Sequence, residues 1–174
     1  MITSLALPQE NSLTRNIFLY LLGGLILSLT ANVVIPLPFT PIPVALRPAV
    51  VLLLAIVMGR KSVFSVLVFI AQGCLGFPVF AEGVSGIAGP TGGYIVGYIA
   101  AAYVTGWYAE KKEGTPLHHF YAMLLGTGVL YLFGVAWLAT FTGISHALLL
   151  GVAPFLVGDV LKIFLNLRLL KFFR

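Results

Sequence analysis

Charge is the scarcest feature of this chain: Asp, Glu, Lys and Arg make up 9% of 174 residues, against 60% hydrophobic. Soluble domains carry about 25% charged residues, so this scarcity excludes a water-soluble domain and indicates an integral membrane protein. Cysteine is almost missing; the single Cys74 excludes an internal disulfide framework or a cysteine metal site. Catalytic patterns are missing too. There is no His-Glu-x-x-His, no Gly-x-Ser-x-Gly and no second acid near Asp159, so no enzyme and no cofactor is expected. `MGRKS` at Met58–Ser62 lacks the upstream glycine and the Gly-Lys step of a phosphate-binding loop, so no ATP-hydrolysing part is expected. His118 and His119 are adjacent, point about 100° apart on a helix and read as interfacial residues rather than a metal pair. His146 stands alone, so no metal site is expected. The net charge of +5 sits in short clusters between apolar runs, a membrane pattern that gives no reason to expect nucleic acid.

What is present is a set of six apolar runs, at roughly 16–35, 44–58, 62–77, 94–109, 116–140 and 154–170. The predicted fold is an all-α integral membrane bundle of six transmembrane helices. Residues 1–15 form a polar N-terminal segment without the basic-then-apolar order of a cleavable signal, and 16–174 form one transmembrane domain. `GISHALLLGVAP` reads as a short surface helix before the sixth span. Arg15, Arg60, Lys61, Lys111, Lys112, Arg168, Lys171 and Arg174 all fall at alternate ends of the runs. The connections 36–43, 77–93 and 141–153 contain no Lys or Arg. By the positive-inside rule both termini are cytoplasmic, and the expected location is the plasma membrane.

Arg47, Asp159 and Lys162 do not fit that segregation. Counted from the loop ends, Arg47 lies about 6 Å below the outer end of its helix, Asp159 about 7–8 Å and Lys162 about 12 Å. Asp159 and Lys162, three residues apart, share a helix face. They form either an internal ion pair, with Arg47 snorkelling to headgroups, or a pocket for a small ligand of one negative charge. Intramembrane charge is a functional-site hypothesis by default. `PLPFTPIP`, with Phe39, reads as a stiff outer lid, and `GPTGGY` offers close backbone approach and the hydroxyls of Thr91 and Tyr94. Glu82 either lines the entrance or is solvated. Small residues recur at four-residue spacing, Gly93, Gly97, Ala101 and Thr105 on the fourth run, Gly24 and Ser28 on the first. They mark close helix packing, with another span of this chain or with a partner subunit.

`PLPFTPIPVAL`, `GFPVF`, `GPTGGYIVGY` and `GVAPFLVGDVLK`, in this order, resemble the BioY family of biotin transporters, the substrate-binding S components of energy-coupling factor (ECF) transporters. The resemblance covers nearly the whole chain after residue 16. It implies an S-component bundle with both termini cytoplasmic that captures biotin with high affinity from the outer face. It implies ligand contacts from Asp159 and Lys162, with Arg47, Phe39, Thr91, Tyr94 and Phe155 nearby. It also implies a transmembrane coupling subunit and a pair of cytoplasmic ATPases as partners. One departure stands out: the family's Val-Thr-Leu-Gln after the proline loop is here `VALR`, which places a cation beside the implied pocket. Uptake of another small carboxylate vitamin is one alternative. A small membrane scaffold or enzyme subunit, with Asp159–Lys162 as a structural pair, is the other.

Overall fold

Residues 12–30, 33–35, 37–39, 41–42, 44–80, 87–111 and 114–172 are described in the structure, a computed structural model. The elements run α1 (Ser12–Leu29), β1 (Val34–Ile35), β2 (Val44–Ala45), α2 (Arg47–Met58), α3 (Ser62–Cys74), α4 (Gly92–Ala109), α5 (Pro116–Thr142), α6 (Ile144–Gly151) and α7 (Leu156–Phe172). Among the described residues this gives an all-α bundle of six helical passes, the sixth in two pieces that meet at 44°. α5 is a long uninterrupted span of 27 residues; its start is set by Pro116 in the first turn and by the Thr115 hydroxyl, which accepts the His118 N–H at 3.2 Å.

The stretch Arg47–Cys74 is strongly apolar on average but folds back on itself at its basic Gly59–Lys61 turn. The Arg47 guanidinium lies 5.5 Å from the centre of the Phe69 ring, whereas a straight helix would separate the two residues by about 33 Å. The reversal is at Gly59, with φ of 62°, a left-handed conformation that suits glycine. Its hairpin turn rests on Gly106, where an added Cβ would come within 2.3 Å of the Gly59 backbone.

Several boundaries differ from the sequence expectation: the first helix starts at Ser12, inside the segment expected to be a polar N-terminal stretch, and α3 stops at Cys74 rather than 77. The first helix ends at Leu29 rather than near residue 35, and α2 begins at Arg47 rather than 44. Val34–Ile35 and Val44–Ala45 instead pair as an antiparallel ribbon, Val34 opposite Ala45. β-branched residues on either side of a proline-dense loop favour extended backbone. Arg47 is therefore the first residue of its helix, not a turn inside it. The counts for α7 shorten likewise, because the helix starts at Leu156 and not Pro154: Asp159 lies about 5 Å and Lys162 about 9 Å along it.

Small residues set the closest seam. Gly93, Gly97, Ala101 and Thr105 are all buried, and the glycines face α5. Gly24 and Ser28 pack within the chain: a Cβ at Gly24 would lie 2.4 Å from Val68 of α3, and the Ser28 hydroxyl donates to the Gln72 side-chain carbonyl. At the opposite end from the ribbon, Glu110 clamps the α2–α3 turn. Its carboxylate accepts the Arg60 backbone N–H at 2.8 Å and the Arg60 Nε at 2.6 Å. His118 stacks on Tyr108 at 4.7 Å, as an interfacial residue would, but His119 is buried; the helix turns its ring inward.

Gly93→Val puts a Cβ 2.2 Å from that of Trp137 and 2.6 Å from the Phe133 carbonyl oxygen, so it should cost about 1–3 kcal/mol. Gly128→Ala meets nothing within 4 Å and should be neutral or stabilising; thermal unfolding in detergent reads both. The Arg60 backbone N–H, then the guanidinium and its charge, hold the Glu110 carboxyl below its ordinary 4.5. A depressed carboxyl stabilises the fold above its unfolded value and loses that effect as pH falls through the folded one. The stability gap between the parent and Glu110→Gln should be full above about pH 4.5 and should close below it. A gap independent of pH would remove the clamp.

Candidate functional site

The ribbon end of the bundle encloses a cavity of about 600 Å³, counted out to open solvent. α2 contributes Arg47 and Pro48, the ribbon Ile42 and Ala45, α4 Tyr94, Ile95 and Tyr98, and the last pass Gly151, Phe155, Asp159 and Lys162; Thr91, Leu130 and Tyr131 complete it. Six of the seven predicted ligand contacts thus line one space: Arg47, Thr91, Tyr94, Phe155, Asp159 and Lys162. Phe39 does not; it is 60% exposed at the ribbon turn. Glu82 lies outside the described residues.

Two residues, one from its own helix and one from α5, satisfy the Asp159 carboxylate. Lys162 Nζ lies 2.8 Å from Asp159 Oδ1, as the shared helix face requires. The Tyr131 hydroxyl of α5 donates to Asp159 Oδ2 at 2.5 Å. Each carboxylate oxygen has two lone pairs and the ammonium three N–H groups, so this pairing leaves acceptor and donor capacity toward the cavity. The ion pair anticipated from sequence is therefore formed, and it does not close the site.

Arg47 is buried, 3% exposed, with its guanidinium over Phe69. Asn166 of α7 donates to the Ala49 carbonyl of α2 at 2.8 Å. That contact sets Arg47 roughly one helical turn, about 5 Å, deeper than Asp159 and near the level of Lys162. Snorkelling to the outer headgroups is thus not what Arg47 does; it sits toward the cavity floor. The Tyr94 hydroxyl proton goes to the Gly151 carbonyl at 2.8 Å, so Tyr94 ties α4 to the end of α6 and offers the cavity only its oxygen and ring.

Sequence reasoning missed Tyr131, Tyr98 and Asn166. The usable signal was weak: a phenol inside the apolar `GVLYLFG`, and an amide among the leucines of `FLNLRLL`. Tyr131 and Asp159 also line a second, almost wholly apolar cleft between α5 and α7, with Leu124, Gly128, Val160 and Ile163. The Tyr131–Asp159 bond therefore forms part of the wall between the cavity and that outward-facing cleft.

A six-pass helical membrane bundle with a charged cavity under its ribbon end is the architecture of a small-molecule binding component. A model of the BioY family matches residues 3–174 of this chain. The chain belongs to the BioY family. The biotin transporter BioY of Thermotoga maritima is 36% identical over 134 residues, 74% of this chain and 79% of that protein. The biotin transporter BioY of Rhizobium etli is 33% identical over 163 residues, 86% and 87% of the two chains. The crystal structure of the S-component for biotin from an ECF-type ABC transporter shares the fold, with a TM-score of 0.80 over 95% of each chain at 21% identity.

The Tyr131 contact is directly testable. Tyr131→Phe removes a hydroxyl from a buried charged acceptor, a loss of about 1.5–3 kcal/mol for hydrogen bonds of this kind. Thermal unfolding of the ligand-free protein should fall accordingly; an unchanged midpoint would show that the phenol does not hold Asp159.

Proposed function

We propose that this chain captures biotin with high affinity at the outer face of the plasma membrane and delivers it inward, energised by an ECF module. The carrying observation is the cavity built around Asp159, Lys162 and Tyr131 in a chain whose relatives are named biotin transporters. Biotin presents a ureido ring with two N–H donors and one carbonyl, a lipophilic body and one carboxylate. Asp159 accepts a ureido N–H on its remaining lone pairs, and Lys162 donates to the ureido carbonyl with an N–H not spent on Asp159. Ile42, Ile95, Leu130 and Phe155 line the cavity and receive the lipophilic body, whose own apolar surface is thereby removed from water. Arg47 and Lys162 together outweigh the single acid of the cavity, which favours a ligand with one negative charge. Thr91 and Tyr94 hold the α4 side of the wall.

Transport against a gradient needs an energy source. The partners in this reading are a transmembrane coupling subunit and cytoplasmic ATPases, with no nucleic acid involved. Phe39, on the exposed ribbon turn, belongs to the lid rather than to the floor of the site. A second reading keeps Asp159–Lys162 as a structural pair in a scaffold, favoured by their 2.8 Å contact.

Binding of labelled biotin to the purified protein separates the two. Biotin should raise the unfolding midpoint in detergent by mass action. Asp159→Asn and Lys162→Met, each shown to remain folded, should weaken binding by about 10- to 150-fold, the range for a charge-assisted hydrogen bond. Parent-like affinity in both variants would leave the structural pair as the surviving account. A parent protein that ignores biotin but is stabilised by another small carboxylate would change the substrate.

A further inference from the structure

We propose that Asn166 is a positioning residue of this site: its hydrogen bond to α2 sets the register of α7, and with it the placement of the Asp159–Lys162 pair across the cavity from Arg47. The binding arm of the argument rests on the biotin reading; the register arm does not.

Asn166 is 3% exposed. Around it Leu52, Met123 and Ile163 form a buried apolar cluster, joined by Ile56, Phe120, Leu167 and Leu170. An amide in such surroundings is unfavourable unless it is hydrogen-bonded. Its Nδ2 donates to the Ala49 carbonyl at 2.8 Å and lies 3.8 Å from Met123 Sδ. Ala49 is in the first turn of α2, two residues after Arg47. A helical carbonyl has a second lone pair, so it can accept this bond without giving up its place in the α2 ladder.

The geometry converts that bond into control of the site. Asn166 follows Asp159 by seven residues and Lys162 by four, so all three project from one face of α7. α7 is lightly packed and rests chiefly on α5 and α2. Leucine, isoleucine and methionine slide over one another with little preference for one register. A single polar bond in an apolar seam is satisfied in only one, as a lone asparagine specifies register in a coiled coil. The Tyr131–Asp159 bond fixes α7 to α5 at its outer end. Asn166 supplies the second point, two turns further in, and two points on one face define both rotation and height.

The test uses the full chain in a Cys74→Ser background, with spin labels on the exposed, outward-facing positions Val57 of α2 and Leu161 of α7. The ligand-free parent should give one narrow distance distribution. Asn166→Leu, which suits its apolar neighbours, should broaden or shift it while leaving the unfolding midpoint near that of the parent. Asn166→Gln, which keeps an N–H donor, should largely restore it, and Asn166→Ala serves if the leucine variant does not fold. Biotin affinity of the leucine variant should drop about tenfold, the effect of one hydrogen bond. In a Lys162→Met background the same change should cost markedly less, since the two act through one contact. An unchanged distance distribution in the leucine variant overturns the proposal, as does a broadened one with undiminished binding. A parent that does not bind biotin defeats the substrate assignment alone, and the distance measurement still decides the role of Asn166.

Discussion

An ionised carboxylate inside an apolar bundle is the constraint on which the outer half of this molecule depends. Insertion scales put a charged side chain at the bilayer centre at about 2.5–3.5 kcal/mol, less near the edge. Asp159 meets that cost with Lys162 from its own helix and Tyr131 from α5. Because the partners belong to different passes, solvating one charge also joins two helices. Removing Asp159 or Lys162 alone leaves the other charge without its counter-ion, which is more damaging than never having had the pair.

The rest of the packing divides the bundle unevenly. Along α4 and α5, glycines and small residues bring the backbones together so closely that an added Cβ at Gly93, Gly126 or Gly134 would overlap a neighbour. Such seams have discrete fits and resist gradual deformation. α7 has no comparable seam and is held by individual polar bonds. The cavity therefore has one stiff wall, from α4 and α5, and one wall whose position rests on a few named contacts. A bound ligand that adds hydrogen bonds to Asp159 and Lys162 stabilises the second wall most.

Much of this was legible before any coordinates. Charge segregation and run length yield a six-pass membrane bundle, and the chain's membership of the BioY family agrees with it. The spacing of Asp159 and Lys162 predicts their contact, because a three-residue step on a helix leaves little choice. The strand pairing of Val34–Ile35 with Val44–Ala45 was not legible, since four apolar residues beside longer apolar runs read as extensions of the helices. Nor was the depth of Arg47, which depends on the register of two helices more than a hundred residues apart. Tyr131 and Asn166 escaped for a common reason. A search for misplaced charge passes over neutral donors, yet neutral donors are what a buried charge and an apolar seam require.

Capture and release place opposite demands on those few contacts. A site that binds tightly on one side of the membrane must lose affinity on the other, and a ligand alone cannot supply the difference, since it stabilises whichever state it binds. Shifting a two-state equilibrium from 1:99 to 99:1 takes about 5.5 kcal/mol, more than the about 1–3 kcal/mol of one hydrogen bond, even to a charged group. Displacing the α7 wall would disturb the contacts of Tyr131 and Asn166 together, about 2–4.5 kcal/mol in a single motion, and so supply a large part of that shift. In the uptake reading, the partner's work is therefore best applied to the helix that carries Asp159 and Lys162, while the α4–α5 wall keeps its shape.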